Sequence, residues 1–297
     1  MASAVTDPSL GTAERTGWFQ GIRAAERVAI LFFLYLALLG MLRSATPAQR
    51  AAQWTMPFLI WVLCRFEHAS SRPWSRVVRE WLALGIILAG YWMLGWLASP
   101  TLTGWEATFE SWDHTLLNRF GFEGAVESAG TFVPSVLEVV YLLLYTIPPC
   151  CLGVIYLCGA RPAVYRFLFT LLLGTFATYA LLPLFPMHSP RVVYPLQDLP
   201  HLPGLARPIN TWLLDHLDIS TSVFPSGHVA VAFSSAFGLL HALRERPRIW
   251  ITFFIVATLV YVATIYGRYH YAVDGLVSIV ISGFAWFVVG KWEAWNE

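Results

Sequence analysis

The stretch that decides the fold runs from residue 249 to residue 290. It reads IWITFFIVATLVYVATIYG over 249–267, RY at 268–269 and HYAVDGLVSIVISGFAWFVVG over 270–290. Each apolar run is long enough to cross a bilayer as a helix, which takes about 20 residues. The charged residues of the stretch, Arg268 and Asp274, lie at or beside the turn between the runs. The sequence therefore predicts a helical membrane hairpin whose polar groups gather at one end.

The composition of the whole chain extends this interpretation to all 297 residues. Hydrophobic residues make up 57% and charged residues 12%, with a mean hydropathy of +0.59. A soluble domain carries about 25% charged residues, so the composition excludes that class. The predicted fold is an all-α integral membrane protein of about eight transmembrane helices, forming a single polytopic domain over 1–297. The apolar runs that predict these helices are 27–43, 51–65, 80–98, 133–158, 163–185, 226–243, 249–267 and 270–290.

The chain divides into N-terminal helices at 27–98, an interfacial segment at 99–132 and a catalytic core at 133–290. Six of the eight predicted helices form the core of the fold. The run 51–65 is short, and predicts either a full span or a re-entrant hairpin with the first run. In the segment 99–132, Trp105, Phe109, Trp112 and Leu116/Leu117 recur at helical spacing. Such a pattern is typical of an amphipathic helix that lies in the membrane interface.

The basic residues predict the orientation, because cytoplasmic loops carry an excess of Lys and Arg. With eight spans, thirteen cations share a side with both termini and six lie on the other. We therefore expect cytoplasmic termini, and an extracytoplasmic location for the loop 186–225 and the turn at Gly267. Lys291 is the single lysine, a bias that suggests a GC-rich bacterial genome and hence a bacterial inner membrane. The net charge of +1 gives no attraction to nucleic acid.

Phe224-Pro225-Ser226-Gly227-His228 opens the sixth apolar run. Pro and Ser suit the cap and first turn of a helix, and a helix N-terminus presents free N–H groups to an anion. Gly227 leaves room for close approach, and His228 adds a titratable group. Two interpretations fit the pentapeptide equally well. It is either a phosphate site or a capped helix start with an incidental histidine.

His270 and Asp274 lie four residues apart in the sequence from Tyr266 to Gly275. On a helix they would share a face, and a carboxylate on one ring nitrogen fixes the tautomer and raises the basicity of the other. An acid just inside an apolar span needs a partner and usually has a function. The alternative is a structural His–Asp pair at the membrane surface.

Phe185-Pro186-Met187-His188-Ser189-Pro190-Arg191 follows the fifth apolar run, on the same side as the other two motifs. The planar guanidinium of Arg191 could clamp a phosphate, although an isolated arginine here is more often an interfacial anchor. Two histidines, an aspartate and arginines then meet at one membrane face. Histidine-based phosphoryl transfer needs this set of groups, and needs no metal.

The order Pro-Arg, Pro-Ser-Gly-His, His-x-x-x-Asp resembles the type 2 phosphatidic acid phosphatase superfamily, over roughly residues 186–290. The resemblance implies that His270 attacks phosphorus to form a phosphohistidine and that Asp274 orients it. It implies that His228 protonates the leaving oxygen and then activates the acceptor. The phosphoryl oxygens would be held by Arg191, Ser226 and Gly227.

Two positions depart from the usual pattern of that superfamily. Leu184 stands where a lysine is usual, seven residues before Arg191, and Ala263-Thr264 stands where Ser-Arg is usual. Arg268 is our candidate for the missing cation. These versions of the motifs are similar to the branch that contains inositol phosphorylceramide synthases, in which the acceptor is an alcohol rather than water.

Three further residues are candidates for the substrate pocket: Glu138, His188 and Tyr266. Glu138 is equally consistent with a capping contact to a loop. The histidines at positions 114, 188, 201 and 216 lack zinc-ligand spacing, so we expect neither metal nor cofactor. The expected partners are a lipid phosphate substrate and membrane lipids, and the sequence carries no signal for the oligomeric state. Hydrolysis of a lipid phosphate or diphosphate is the leading prediction. The alternatives are transfer of a phospho-headgroup to an alcohol and a non-catalytic lipid binder or transporter.

Overall fold

The computed structural model describes residues 21–70, 72–97, 103–194, 199–219, 221 and 223–296, with side chains as far as residue 292. Within these ranges the secondary structure is helical and contains no β-strand. The α-helices are α1 (Ala24–Leu42), α2 (Pro47–Ala69), α3 (Pro73–Gly95), α4 (Thr103–His114), α5 (Phe122–Glu127), α6 (Phe132–Leu143), α7 (Ile147–Leu157), α8 (Val164–Leu181), α9 (Pro190–Val193), α10 (Ala206–Leu217), α11 (Gly227–Ala242), α12 (Pro247–Tyr266) and α13 (Ala272–Asn296). A π-helical turn at Thr115–Arg119 follows α4.

Six helical segments among the described residues are long and apolar enough to cross a membrane. They are Ala24–Leu42, Pro73–Gly95, Phe132–Leu157, Arg161–Leu184, Pro247–Tyr266 and Ala272–Trp292. The chain is therefore an all-α membrane protein, as predicted. A seventh apolar helix, α11, has 16 residues and a length of about 24 Å at 1.5 Å per residue. It is the shorter helix that carries His228.

The second apolar run, which the sequence left open between a span and a hairpin, belongs to one continuous helix. α2 has 23 residues, or about 34 Å, although it is too polar to count among the six apolar segments. Arg79 donates to Glu26 at the start of α1 (2.5 Å) and to Glu67 at the end of α2 (2.6 Å). Because α2 ends where α1 begins, the two helices form a full antiparallel pair rather than a re-entrant hairpin.

α8 lies at the centre of the bundle. In its most apolar 18-residue stretch, 72% of the residues are buried, against 33–39% in the other five apolar segments. Small residues let α8, α11 and α13 approach closely. A Cβ on Gly174 of α8 would collide with Ser234 of α11, and Ser234 makes an Oγ to Oγ hydrogen bond of 3.0 Å with Ser282 of α13. This contact fixes the three helices against one another and so aligns their ends.

The ends of the central helices meet at one face of the bundle. α8 and α12 end there, α11 and α13 begin there, and α4 lies across them. The predicted amphipathic helix is present, but its buried side is Glu106, Phe109, Asp113 and the following Leu117. Trp105 and Trp112, which were expected to share a face with Phe109, are about half exposed. The inward positions are taken by carboxylates because these accept hydrogen bonds from the loops beneath.

Candidate active site

The turn between α12 and α13 positions His270. The carbonyl oxygen of Thr264 accepts from the backbone N–H of Tyr269 (2.9 Å) and of His270 (3.1 Å), which folds the turn back onto α12. Arg268 has a φ of 56°, the left-handed conformation that closes the turn. His270 therefore precedes α13 instead of lying within it, as the four-residue spacing had suggested, and its side chain is buried.

The two ring nitrogens of His270 have different neighbours. Nδ1 lies 3.0 Å from the carbonyl oxygen of Val223 and 3.5 Å from Oδ2 of Asp274. Because a carbonyl oxygen can only accept, Nδ1 carries the proton and Nε2 presents a lone pair. Asp274 was expected to orient the ring alone, but its Oδ2 accepts mainly from the Tyr271 backbone N–H (2.8 Å). The Val223 carbonyl is the nearer orienting group.

The two candidate catalytic histidines are in direct contact. Nδ1 of His228 lies 2.9 Å from Nε2 of His270. Since Nε2 of His270 carries the lone pair, Nδ1–H of His228 is the donor, and Nε2 of His228 faces the Tyr145 hydroxyl at 3.5 Å. Tyr141 packs edge-on against the His228 ring, with ring centres 5.5 Å apart. The two imidazoles are therefore joined by a direct hydrogen bond.

Ser226 and Gly227 bind the start of α11 to the start of α13. Ser226 Oγ caps α11 by accepting from the Val229 N–H (3.3 Å), and its own N–H donates to the Asp274 carbonyl oxygen (3.2 Å). Ser278 Oγ donates to the Ser226 carbonyl oxygen (2.9 Å). A Cβ on Gly227 would meet the Tyr179 ring at 2.9 Å. The predicted capped helix start is present, directly beside the histidines.

The two candidate phosphate-binding arginines are joined through the backbone, because the Arg191 N–H donates to the Arg268 carbonyl oxygen (2.9 Å). Arg191 Nη1 donates to Asp215 (2.7 Å), while its buried Nε has no hydrogen-bond partner among the described residues. The Arg268 guanidinium is buried, lies 5.0 Å from the centre of the Tyr194 ring and is 3.9 Å from Glu123. Both cations thus flank the turn that carries His270.

Comparison with known protein families agrees with this geometry. The model of the PAP2 superfamily matches residues 110–288, more than half of the chain, and the match includes all three motifs. The chain belongs to the PAP2 superfamily. No curated protein and no solved structure matches it. Members of the PAP2 superfamily are typically phosphatases or phosphotransferases that act on lipid phosphates in membranes.

Glu138, predicted for the substrate pocket of this PAP2 protein, is buried and receives three donors. Arg207 donates to Oε1 (2.9 Å), and Asn210 (2.8 Å) and the Tyr269 hydroxyl (2.6 Å) donate to Oε2. Tyr269 also stacks on Tyr141, with ring centres 4.2 Å apart. Glu138 therefore anchors the residue next to His270, which agrees with its alternative role as a contact to a loop.

The other two predicted pocket residues also make polar contacts at the edge of the PAP2 site. His188 contacts Glu106 twice, through its backbone N–H (2.6 Å) and through Nδ1 (3.1 Å). The Tyr266 hydroxyl donates to Glu127 (2.9 Å). In the described part of the chain, His, Cys, Asp and Glu side chains form no group of three that could hold a metal ion.

Burial sets the protonation of two groups at the PAP2 site. It lowers the pKa of His270 to about 4, against the opposing effects of the Asp218 carboxylate and the Val223 carbonyl. The His270 ring is therefore neutral at pH 7. Burial raises the pKa of Asp113 to about 7, reinforced by the charge of Asp274 and opposed by the hydrogen bond from the Ala272 N–H (3.0 Å).

Several residues at the site lay outside the sequence predictions. The Val223 carbonyl orients His270, Tyr145 contacts His228, and Asp113 holds the first residue of α13. Asp113 had a visible signal, a carboxylate among the aromatic residues of an interfacial helix. Tyr145 and Val223 had none, because a tyrosine in an apolar run and a backbone carbonyl are common everywhere.

Proposed function

We propose that this protein hydrolyses a lipid phosphate or diphosphate through a phosphohistidine formed on Nε2 of His270. The observation that carries the proposal is the directed contact between the histidines. Nδ1 of His270 is held by a carbonyl oxygen, so Nε2 is the nucleophilic nitrogen, and it lies 2.9 Å from His228. The lowered pKa of His270 keeps Nε2 unprotonated at neutral pH, as a nucleophile must be.

The proposed reaction has two displacement steps. Nε2 of His270 attacks phosphorus, the bond from phosphorus to the leaving oxygen breaks, and protonated His228 gives its proton to that oxygen. Neutral His228 then takes a proton from water, which attacks phosphorus and breaks the P–N bond. Inorganic phosphate leaves, and both histidines return to their starting states.

The cationic groups supply charge stabilisation in this proposal. The phosphoryl oxygens would be held by Arg191 and Arg268 beside the turn and by the α11 N-terminus at Ser226 and Gly227. The buried, unpartnered Nε of Arg191 supports this role, because a buried donor without an acceptor is costly until a ligand supplies one. Arg268 takes the place of the cation that the usual motif would supply at Ala263-Thr264.

A lipid alcohol as acceptor is the second candidate, and it corresponds to the inositol phosphorylceramide synthase type of reaction. It is favoured by the departures at Leu184 and Ala263-Thr264.

Phosphate release from a panel of lipid phosphates and diphosphates tests the proposal, together with the formation of a new phosphorylated lipid when diacylglycerol or ceramide is added. The proteins are wild type, H270A and, as a matched control, H201A, which replaces an exposed histidine. We expect H270A to lose at least about 10³-fold in rate and H201A to keep the wild-type rate. Product only in the presence of the lipid alcohol would identify a transferase. Equal inactivity of wild type and H270A under all conditions would leave the lipid binder or transporter.

A further inference from the structure

A cluster of charged side chains lies at the end of the bundle opposite the histidines. The apolar segment Arg161–Leu184 is about 36 Å long at 1.5 Å per residue, with the catalytic face at its Leu184 end. Around its Arg161 end lie the start of α3 and the end of α2. We call the charged side chains there the arginine cluster, which consists of Arg23, Arg72, Arg76, Arg79 and Arg161 with Glu26, Glu67 and Glu80.

The acids of the arginine cluster are all satisfied within the protein. The Glu67 carboxylate accepts a hydrogen bond from Arg79 Nη1 (2.6 Å) and lies 3.5 Å from Arg76 Nε. The Glu26 carboxylate accepts from Arg79 Nε (2.5 Å). Glu80 is contacted by the hydroxyl groups of Tyr156 and Tyr165. Five guanidinium groups against three carboxylates leave an excess of two positive charges, and Arg79, which carries the shortest contacts, is buried. The excess charge therefore belongs to the outer arginines.

The outer arginines border a cleft of about 240 Å³. It is lined by Arg72, Arg76 and Arg161 together with Ser70, Ser75 and the Glu67 carboxylate, which is paired with Arg79 and Arg76. Arg161 Nε and Nη2 are buried but have no hydrogen-bond partner among the described residues, and Nε is 3.8 Å from Glu80, beyond hydrogen-bond distance. Buried guanidinium donors that the protein leaves without acceptors point to a ligand that brings its own oxygen atoms.

The start of α3 adds to this preference for an anion. Arg72 occupies the N-cap position, and its side chain makes no capping hydrogen bond. The Arg72 N–H donates to Ser70 Oγ (3.2 Å), and the 23-residue helix directs the positive end of its dipole towards the cleft. Three guanidinium groups, two serine side chains, one ion-paired carboxylate and a helix N-terminus therefore border one space.

We propose that this cleft binds a phosphate group, carried either by an anionic phospholipid of the leaflet opposite the catalytic face or by a soluble phosphate. The site is separate from the catalytic histidines and does not depend on the proposed reaction. Planar guanidinium groups recognise phosphate oxygens in pairs, and the exposed side chains of Arg72 and Arg76 can close over the ligand.

Lipid titration followed by native mass spectrometry tests the proposal on the full-length protein in detergent. The test variant is R72Q/R76Q. The matched control is R244Q/R248Q, which removes two exposed arginines from the same end of the bundle, outside the cleft. We expect R72Q/R76Q to bind dioleoylphosphatidylglycerol about 30-fold more weakly than wild type, since each arginine near an anionic lipid contributes about fivefold. We expect R244Q/R248Q to bind like wild type.

A competing titration with inorganic phosphate separates the two sources of the ligand. Displacement of the lipid by phosphate at moderate concentration, or tight phosphate binding without lipid binding, would identify a soluble anion as the ligand. Retention of the lipid against phosphate would identify the phospholipid. Equal affinities of all three proteins for both ligands, or an equal loss in both double variants, would overturn the proposal.

A second variant covers the case in which R72Q/R76Q folds poorly. The Arg72 side chain is exposed, so R72Q alone leaves the ion pairs of Glu67 intact. It should weaken binding about fivefold. An unchanged affinity in a folded R72Q protein would count against the site. The catalytic histidines are the same in every variant, so lipid bound there does not affect these comparisons.

Discussion

The direction of the hydrogen bonds around His270 assigns different tasks to two chemically identical rings. The Val223 carbonyl holds the proton of His270 on Nδ1, and the Nδ1–H of His228 donates to Nε2 of His270. In the proposed mechanism, the nucleophile and the acid are thus distinguished by their neighbours and not by their residue type. The second nitrogen of His228 reaches Tyr145, which completes a chain of three side chains.

If the two histidines have these different roles, the variant H228A should release a burst of p-nitrophenol. With p-nitrophenyl phosphate the leaving group needs no proton, so His270 should still form the phosphohistidine. The second step should fail, because no base remains to activate water. We expect about one equivalent of p-nitrophenol per active protein, followed by a rate at least about 10²-fold below wild type.

The covalent species should accumulate in H228A and be acid-labile, as expected for a phosphohistidine. The double variant H228A/H270A is the control, and it should show neither burst nor label. Equal labelling of H228A and H228A/H270A would place the covalent phosphate on another residue.

The protonation of His270 gives a second prediction at the same scale. Because burial lowers its pKa to about 4, the ring should stay neutral as the pH falls from 7 to 5. In ¹⁵N-histidine-labelled protein, the signals that disappear in H270Q should keep the shifts of an Nδ1–H tautomer across that range. A titration midpoint near 6.5 would contradict both the burial of the ring and its hydrogen bonds.

At the scale of elements, the interfacial helix α4 is a strap over the catalytic loops. Glu106 holds His188 in the loop before Arg191, Phe109 packs on Phe224, and Asp113 accepts the Ala272 N–H at the start of α13. One helix face therefore contacts three segments that meet at the histidines. The strap fixes the relative positions of loops that are distant in sequence.

Asp113 makes the stability of this strap depend on pH. Its pKa rises from 3.8 to about 7 on folding, so the folded state binds the proton more tightly. The contribution of Asp113 to stability is therefore greatest below about pH 4 and is lost as the pH rises towards 7. D113N keeps an oxygen for the Ala272 N–H and removes the charge. We expect D113N to be more stable than wild type by about 4 kcal/mol at pH 8 and by about 2 kcal/mol at pH 5.

Thermal unfolding in detergent at both pH values measures this difference. E245Q is the control, since Glu245 is an exposed carboxylate at the other end of the bundle. Its difference from wild type should be similar at pH 5 and pH 8. A D113N protein that is less stable than wild type at pH 8 would show that the ionised carboxylate stabilises the strap.

The strap also marks the limit of what the sequence could predict. His228, His270 and Asp274 were found because their motifs are local and chemically unusual in apolar runs. The Val223 carbonyl and Tyr145 were missed because tertiary packing alone brings them to the histidines. Periodicity predicted α4 but grouped Trp105 and Trp112 with Phe109 on one face, since hydrophobicity alone does not reveal that buried carboxylates will find backbone donors. The 23-residue helix α2 has polar residues at both ends, so the sequence showed only its apolar middle as a short run.

At the scale of the whole molecule, the antiparallel helices separate two cationic regions. Arg191 and Arg268 lie beside the histidines, and the arginine cluster lies at the opposite end of α8. In our two proposals, both ends bind phosphate groups, and only the histidine end carries a nucleophile. A substrate in one leaflet and an anionic lipid in the other could then be bound at the same time, with α8, α11 and α13 between them.

The side of the membrane that each end faces is the last prediction. Thirteen basic residues against six place the histidine end outside the cytoplasm. The test uses a background with Cys150 and Cys158 replaced by serine, because Cys64 and Cys151 are buried. H201C, at an exposed position on the histidine side, should react with a membrane-impermeant maleimide on intact cells. R244C, exposed beyond the other end of α11, should react only after permeabilisation. The reverse labelling pattern would invert the orientation and place the catalytic face, with its lipid phosphate substrate, on the cytoplasmic leaflet.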